Sequence, residues 1–382
     1  MNSQSTRQTA AFQSTDSVPD RTSQWHVTCS DTYDFHKPEF AELLSACDAT
    51  GFQERGWLVP FFRTLPSFLA VKPVIVCVRD EKNHLKMLLP CVRRTVWGIH
   101  LVQTADLGLT DYNCPLVHPD AIDVIQDNED LQDRIFRALR PCDIFFFRKQ
   151  RADKIGIETV LRGASTSPSE VQAHQVDLFA PYDAWAKNKL SQNFRTNTRA
   201  KFRKLGRSCE SLSFDTVVEP SEITDALRFI QVHRGQRYKN DILQNHAVFG
   251  FYSEVAREGA QSGFAQTFVM RVDGEIVAAF FGLNWDDVHC YLLGAFKPGT
   301  LERFSIGLQT LTALIADRIE ANVGTFDFGL GDEPYKKRFQ AKEVKMHHAV
   351  YALSPFGKII ALTYEKAKPL KRVLVKTIFR LR

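Results

Sequence analysis

The chain has 382 residues, 44% of them hydrophobic and 24% charged, with a net charge of +5. That length holds two domains of ordinary size, and that composition excludes a disordered or fibrous protein. Residues 365–382 carry seven cations against Glu365 alone, so the body is nearly neutral and charge gives no support for specific nucleic-acid binding.

Residues 1–24 are rich in Ser, Thr and Gln without an apolar stretch, which predicts a disordered tail and no signal peptide. With no run near the roughly 20 apolar residues that span a bilayer, a cytoplasmic protein is expected. The eight cysteines include no C-x-x-C pair and read as small buried hydrophobes in a reducing compartment, so no metal is expected. Glu39 to Ala49 has helical spacing, and Trp57 to Leu69 reads as helix or loop. Val74–Val78 and Leu85–Arg93 form a hairpin around Asp80–Asn83. Leu131–Leu139 predicts a helix and Ile144–Phe147 a strand, before the polar connection 163–168.

The second half opens near Val171. Trp185 to Leu205 predicts one long basic helix, in which Arg195, Arg199 and Arg203 share a face. Ile223 to Arg234 predicts an amphipathic helix that carries His233. Gln266–Val272 and Glu275–Phe281 form a hairpin through Asp273-Gly274. Val288–Ala295 is a strand, about 305–322 a helix with Leu308, Leu311, Ile315 and Ile319 on one face, and Thr325–Phe328 the next strand. That strand runs into Gly329-Leu330-Gly331-Asp332-Glu333-Pro334-Tyr335-Lys336-Lys337-Arg338-Phe339, a two-glycine turn dense in charge. Strand ends and the loops after them hold active sites in α/β folds.

This text, FDFGLGDEPYKKRF, resembles the DFxxGDxxYKxxW/F signature of the CelD-like acetyltransferases, a branch of the GNAT superfamily related to the Fem peptidyltransferases. Leu107 to Val117, with Asp111, Tyr112, Pro115 and Leu116, resembles the family's aDYxxPL segment. Leu190 to Arg203 is similar to its LSxxxRxxxRxxxR helix. Ser305-Ile306-Gly307 departs from a common Ser-Pro-Gly, which implies a less rigid helix start. The resemblance covers most of residues 45–345.

It implies tandem GNAT-like domains with mixed central sheets flanked by helices: 25–165 first, then 171–355 with the acyltransferase site, then a basic amphipathic segment over 356–382. The implied cosubstrate is acetyl-CoA or another acyl-CoA. The helix start at Ser305, Ile306 and Gly307 would hold its diphosphate, with Gly307 admitting a phosphate to the backbone. Leu292 and Leu293 would offer backbone groups to its pantetheine arm. Asp332 or Glu333 would act as base if burial raises its basicity, and Tyr335 as proton donor, or else as a packed ring. Arg195, Arg199, His233 and Lys336 would meet an acidic acceptor, although a basic helix face is also ordinary solvated surface. Asp327 would do so too, or else accept hydrogen bonds from the loop.

The implied reaction is acyl transfer to an amine or hydroxyl of a saccharide or related small acceptor, and because some members of that family sit near polysaccharide synthesis, the resemblance implies a link to it. Two other readings stay open: a Fem-like transferase using aminoacyl-tRNA, and a non-catalytic subunit of a polysaccharide synthase. The basic C-terminus also suits peripheral contact with the inner membrane face.

Overall fold

A computed structural model describes residues 25–366. The expected tail over 1–24, and residues 367–382 of the basic segment, lie outside them. The first half supplies strands β1 (His26–Ser30), β2 (Lys72–Arg79), β3 (Leu85–Val96), β4 (Ile99–Thr104), β5 (Leu116–Val117), β6 (Ile144–Arg151) and β7 (Ser165–Pro168), with helices α1 (Pro38–Ala46), α2 (Arg55–Phe68), α3 (Ile122–Asp127) and α4 (Glu129–Ala138). The second half supplies β8 (Ala173–Asp177), α5 (Tyr182–Lys189), α6 (Gln192–Gly206), β9 (Leu212–Val217), α7 (Pro220–Arg237), α8 (His246–Ser262), β10 (Ala265–Val272), β11 (Glu275–Trp285) and β12 (Val288–Phe296). It ends with α9 (Ile306–Glu320), β13 (Thr325–Leu330), β14 (Lys342–Val344), β15 (Met346–Ala352) and α10 (Pro355–Lys366).

One sheet runs β1-β2-β3-β4-β6-β15-β7, with β5 also against β3; the other runs β14-β8-β13-β12-β11-β10-β9. Pairs β4–β6 and β12–β13 are parallel, and the other described pairs are antiparallel, so both sheets are mixed. β15, from inside the span expected of the second unit, pairs with β6 and β7. The first sheet is thus completed from the far end of the chain.

The expected single basic helix is two. Leu190 is extended (φ −106°, ψ 134°), and the Ser191 hydroxyl accepts the Phe194 N–H at 3.2 Å, capping a fresh start at α6. Trp57 to Phe68 is helical throughout, with Pro60 and Pro66 inside the helix and Leu69 at its C-cap.

A single apolar core joins the sheets. It takes Phe52, Trp57, Phe61, Leu88 and Tyr112 from the first half, and Ile223, Phe251, Tyr252, Phe281 and Leu293 from the second. Trp57 lies edge-on to Phe251 at 4.8 Å. Each such side chain contributes about 1.5–3 kcal/mol on burial, so the halves are held as one body.

Candidate functional site

The site grows from the place where β12 and β13 part. They pair at Val288–Thr325, His289–Phe326 and Cys290–Asp327. β12 then continues to Phe296 with its other edge on β11, while β13 runs only to Leu330. Among the described residues, no strand pairs with the β13 edge of β12 from Tyr291 onward. An extended amide chain suits the backbone groups on such an edge. Along β11, Phe281 pairs with Leu293 and Gly282 with Tyr291, so Leu292 is an inserted residue. Leu292 and Leu293 consequently both lean on the core between the sheets, as a bulge requires.

On β13 the register against β8 breaks between Asp327 and Leu330. Gly329 (φ 69°) and Gly331 (φ 109°) take the left-handed backbone that this turn needs. A Cβ on Gly329 would collide with Asp111 Oδ2 and approach the Tyr291 carbonyl at 3.3 Å. Asp111 therefore stands at the apex of the wedge. Its Oδ2 accepts the Leu330 N–H at 3.0 Å. Burial pushes this carboxyl above its ordinary range.

Asp327 is fully buried. It accepts from Tyr112 Oη at 2.7 Å, Arg151 Nη1 at 2.8 Å and the Gly329 N–H at 2.8 Å. Arg151 also holds Gln175 Oε1 at 2.6 Å and lies 4.9 Å over the Tyr112 ring. Of the two roles open to Asp327, it fills the structural one, since its acceptors are taken up inside the protein. The two motif segments, Asp111-Tyr112 and Asp327-Phe328-Gly329, thus meet across the sheets.

Lys336 is 1% exposed, and its Nζ donates to the carbonyls of Gly329 (3.1 Å), Leu330 (3.0 Å) and Gly331 (2.8 Å) and pairs with Glu333 at 2.9 Å. Expected as a substrate ligand, it is instead the clamp of the glycine turn, with no donor left for an acceptor. Asp332 and Glu333 are exposed, so neither has the desolvated setting that a carboxylate base requires. Tyr335 packs on Phe328 at 6.2 Å, and burial pushes its phenol up. Burial does the same to Tyr291, which rests on Phe280 at 5.0 Å. Glu333, Arg237 and Tyr238 lie within electrostatic reach of Tyr291.

Beside these rings a groove of about 570 Å³ runs between α6, the start of α9 and the short turn Lys336–Phe339. Among the described residues, four cations line it, Lys189, Lys201, Lys337 and Arg338, and no carboxylate does. Phe194 and Leu308 on its wall share an apolar cluster with Tyr291 and Tyr335. Lys201 Nζ donates to Ser305 Oγ at 2.7 Å, and Gln309 Nε2 to the Thr198 carbonyl at 2.9 Å, tying α6 to α9.

Ser305 is left-handed (φ 55°, ψ 47°), and its carbonyl receives the Leu308 and Gln309 N–H groups. The Ile306 and Gly307 amides precede those first helical bonds. Ile306 is buried, so only its backbone is on offer. A Cβ on Gly307 would lie 2.8 Å from the Phe296 ring, so close packing of helix on strand itself requires a glycine here.

The acceptor residues expected on α6 face elsewhere. Asn193, Asn197 and Lys201 form the groove stripe, whereas Arg195 and Arg199 lie outside the lining, Arg199 being 3.4 Å from Asp183. His233 rests on Phe229 at 4.3 Å and bonds Gln236 at 3.2 Å, both on its own helix. Among the described residues, no group of three or more His, Cys, Asp or Glu is placed to hold a metal ion.

Residues 192–337 match the family model described as an acetyltransferase (GNAT) domain. No curated protein matches the sequence. Among solved structures, FemX is similar over 85% of this chain and 98% of its own, with a TM-score of 0.61 and 10% identity. L-PGS from Bacillus licheniformis is similar over 91% and 98%, with a TM-score of 0.54 and 14% identity. A tandem GNAT protein from the clavulanic acid biosynthesis pathway is similar over 87% and 99%, with a TM-score of 0.49 and 10% identity. The fold is α/β, with two mixed sheets flanked by helices, and the acetyltransferase (GNAT) domain match falls in the second half of the chain.

Proposed function

We propose that the chain is an acyltransferase of the CelD-like kind, which takes an acyl group, acetyl in the first instance, from coenzyme A. The observation that carries this reading is the acid-free, four-cation groove at the start of α9, whose wall residues Phe194 and Leu308 share an apolar cluster with Tyr291, where the edge of β12 parts from β13. Polyphosphate fits the groove, and an extended amide chain fits the edge. Lys189, Lys201, Lys337 and Arg338 would hold the phosphates, with the Ile306 and Gly307 amides. Acyl-coenzyme A would supply an activated thioester carbonyl when bound.

The acceptor is an amine or hydroxyl of a saccharide or related small molecule. Arg237, Tyr238 and Glu333 near the wedge suit a polar acceptor. Asp111, a carboxylate of raised basicity at the apex, takes the proton from the attacking nitrogen or oxygen. Backbone amides of β12 beyond Cys290 face the developing oxyanion. Tyr335 or Tyr291, each kept protonated by burial, holds the proton that the leaving thiolate needs.

Thermal melts with acetyl-CoA, longer acyl-CoAs and free coenzyme A test the reading. A true ligand at a hundredfold its Kd stabilises by about 2.7 kcal/mol. Lys201→Ala with Lys337→Ala is expected to weaken binding at least about tenfold. Absence of any shift with all thioesters overturns the proposal, and a shift with aminoacyl-tRNA alone replaces it by RNA-dependent transfer.

A further inference from the structure

The first sheet has a parting of its own. β4 and β6 pair in parallel at Leu101–Ile144, Val102–Phe145 and Gln103–Phe146; β4 then ends at Thr104 while β6 runs on to Arg151. The chain itself crosses this opening. Ala105 donates its N–H to the Pro90 carbonyl on β3 at 2.9 Å, and Asn113 donates its N–H to the Lys149 carbonyl on β6 at 3.0 Å. The residues between carry Asp111 to the apex of the other wedge. What holds this crossing segment therefore decides where that carboxylate stands.

β6 bulges where the segment meets it. Gln150 pairs with His347 and Phe147 with Ala349 on β15, so Arg148 and Lys149 together oppose His348. Lys149 takes left-handed backbone (φ 58°), which is strained for a residue with a Cβ. Its N–H donates to His348 Nδ1 at 3.0 Å. A bulge re-aims a side chain, and here it aims an ammonium at the crossing segment. Lys149 Nζ donates to Asp106 Oδ1 at 2.9 Å and to the Thr110 carbonyl at 2.5 Å. Asp106, 3% exposed, also accepts the Gly108 N–H at 3.0 Å and Thr110 Oγ1 at 2.9 Å. Burial opposes its charge, but Lys149 and Arg148 hold its carboxyl below the ordinary range. This strap ends one residue before Asp111.

We propose that Lys149 is a positioning residue for the acyl transfer: its strained backbone and its ammonium pin residues 106–110, so that Asp111 stands at the apex of the second wedge with a cation near it. The proposal rests on the reading of Asp111 as the base. Within electrostatic reach of Asp111 are Lys149 from β6, Asp327 from β13, Lys336 from the glycine turn, Tyr252 from α8 and Cys290 from β12. Lys149 and Lys336 favour its ionised form and Asp327 disfavours it, so loss of the Lys149 charge makes the carboxyl more basic.

A carboxyl-carbon NMR titration of the full chain reads this directly, with the Asp111 signal identified by its loss in Asp111→Asn. In Lys149→Gln, which keeps a donor and drops the charge, the Asp111 midpoint is expected to rise by about one pH unit. In Lys149→Arg, which keeps the charge, it is expected to stay in place. Thiol release from acetyl-CoA, with glucosamine as the probe acceptor, is expected to lose at least about tenfold in kcat in Lys149→Gln, with KM for acetyl-CoA unchanged. Where Lys149→Gln alone does not fold, the chain with Lys149→Gln and Asp106→Asn together, which strands neither charge, takes the same readings. A midpoint that does not rise in the neutral variant overturns the proposal, since a merely structural lysine leaves it alone. Thiol release at the wild-type rate in Asp111→Asn defeats instead the reading of Asp111 as base, whatever the titration shows.

Discussion

Asp111 shows how one carboxyl acquires chemistry from its surroundings. In the fold it gives up its proton later than it does in the unfolded chain, because burial disfavours its charge. As pH rises from the ordinary carboxylate range through the raised one, the unfolded state ionises first and folding stability falls; below both ranges the residue contributes nothing. Asp111→Asn, which keeps an acceptor for Leu330, is therefore expected to raise Tm at neutral pH, with the gain vanishing in acid. It is also expected to lower kcat/KM by about 10²–10⁴-fold and to remove the acid limb of the pH–rate profile. Calorimetry at two pH values and a pH–rate series read both effects. Unchanged turnover would overturn the base role of Asp111. Nothing in the local text marks this residue out, since its burial comes from contact with Leu330 across the sheets. The sequence shows only that Asp111-Tyr112 belongs to a motif.

Among elements, the glycine turn after β13 depends on the single ammonium of Lys336. Lys336→Ala leaves three carbonyls without their donor. The expected cost is about 3 kcal/mol or more in urea unfolding, since buried acceptors lose their partner outright. A loss under about 1 kcal/mol would show that water replaces the clamp.

How far the elements were legible follows from the same local physics. The Asp273-Gly274 turn announces β10 and β11, and both residues adopt positive φ. The apolar stripe of α9 is equally plain. The helix α8 goes unassigned in the sequence reading, although Val248, Phe251, Tyr252 and Val255 recur at helical spacing and Asn245 caps it; Gly250 and Gly259 dilute that signal. Cation spacing on α6 selects the wrong stripe, because it reports which residues share a face and not what the face meets. Lys336 reads as a ligand because a motif lysine and a buried lysine look alike until the carbonyls around it are placed.

For the whole molecule, the junction of Arg151, Tyr112 and Asp327 is the polar counterpart of the shared apolar core. Arg151 comes from β6 of the first sheet and Asp327 from β13 of the second. Removing either partner strands a buried charge, at about 3–5 kcal/mol. Arg151→Met and Asp327→Asn are each expected to cost that much, and together clearly less than their sum. Urea curves on the four proteins of this cycle measure the coupling; simple additivity would show that the pair does not bind the sheets together.

The position of β15 governs how the polypeptide comes off the ribosome. The edge of β6, with Phe145, Phe146 and Phe147 in sequence, stays uncovered until Met346–Ala352 has been made. At about 5–20 residues per second, that delay is roughly 10–40 s. During it the nascent chain presents a bare apolar ribbon to its neighbours, so the hazard to this protein is greatest before synthesis ends.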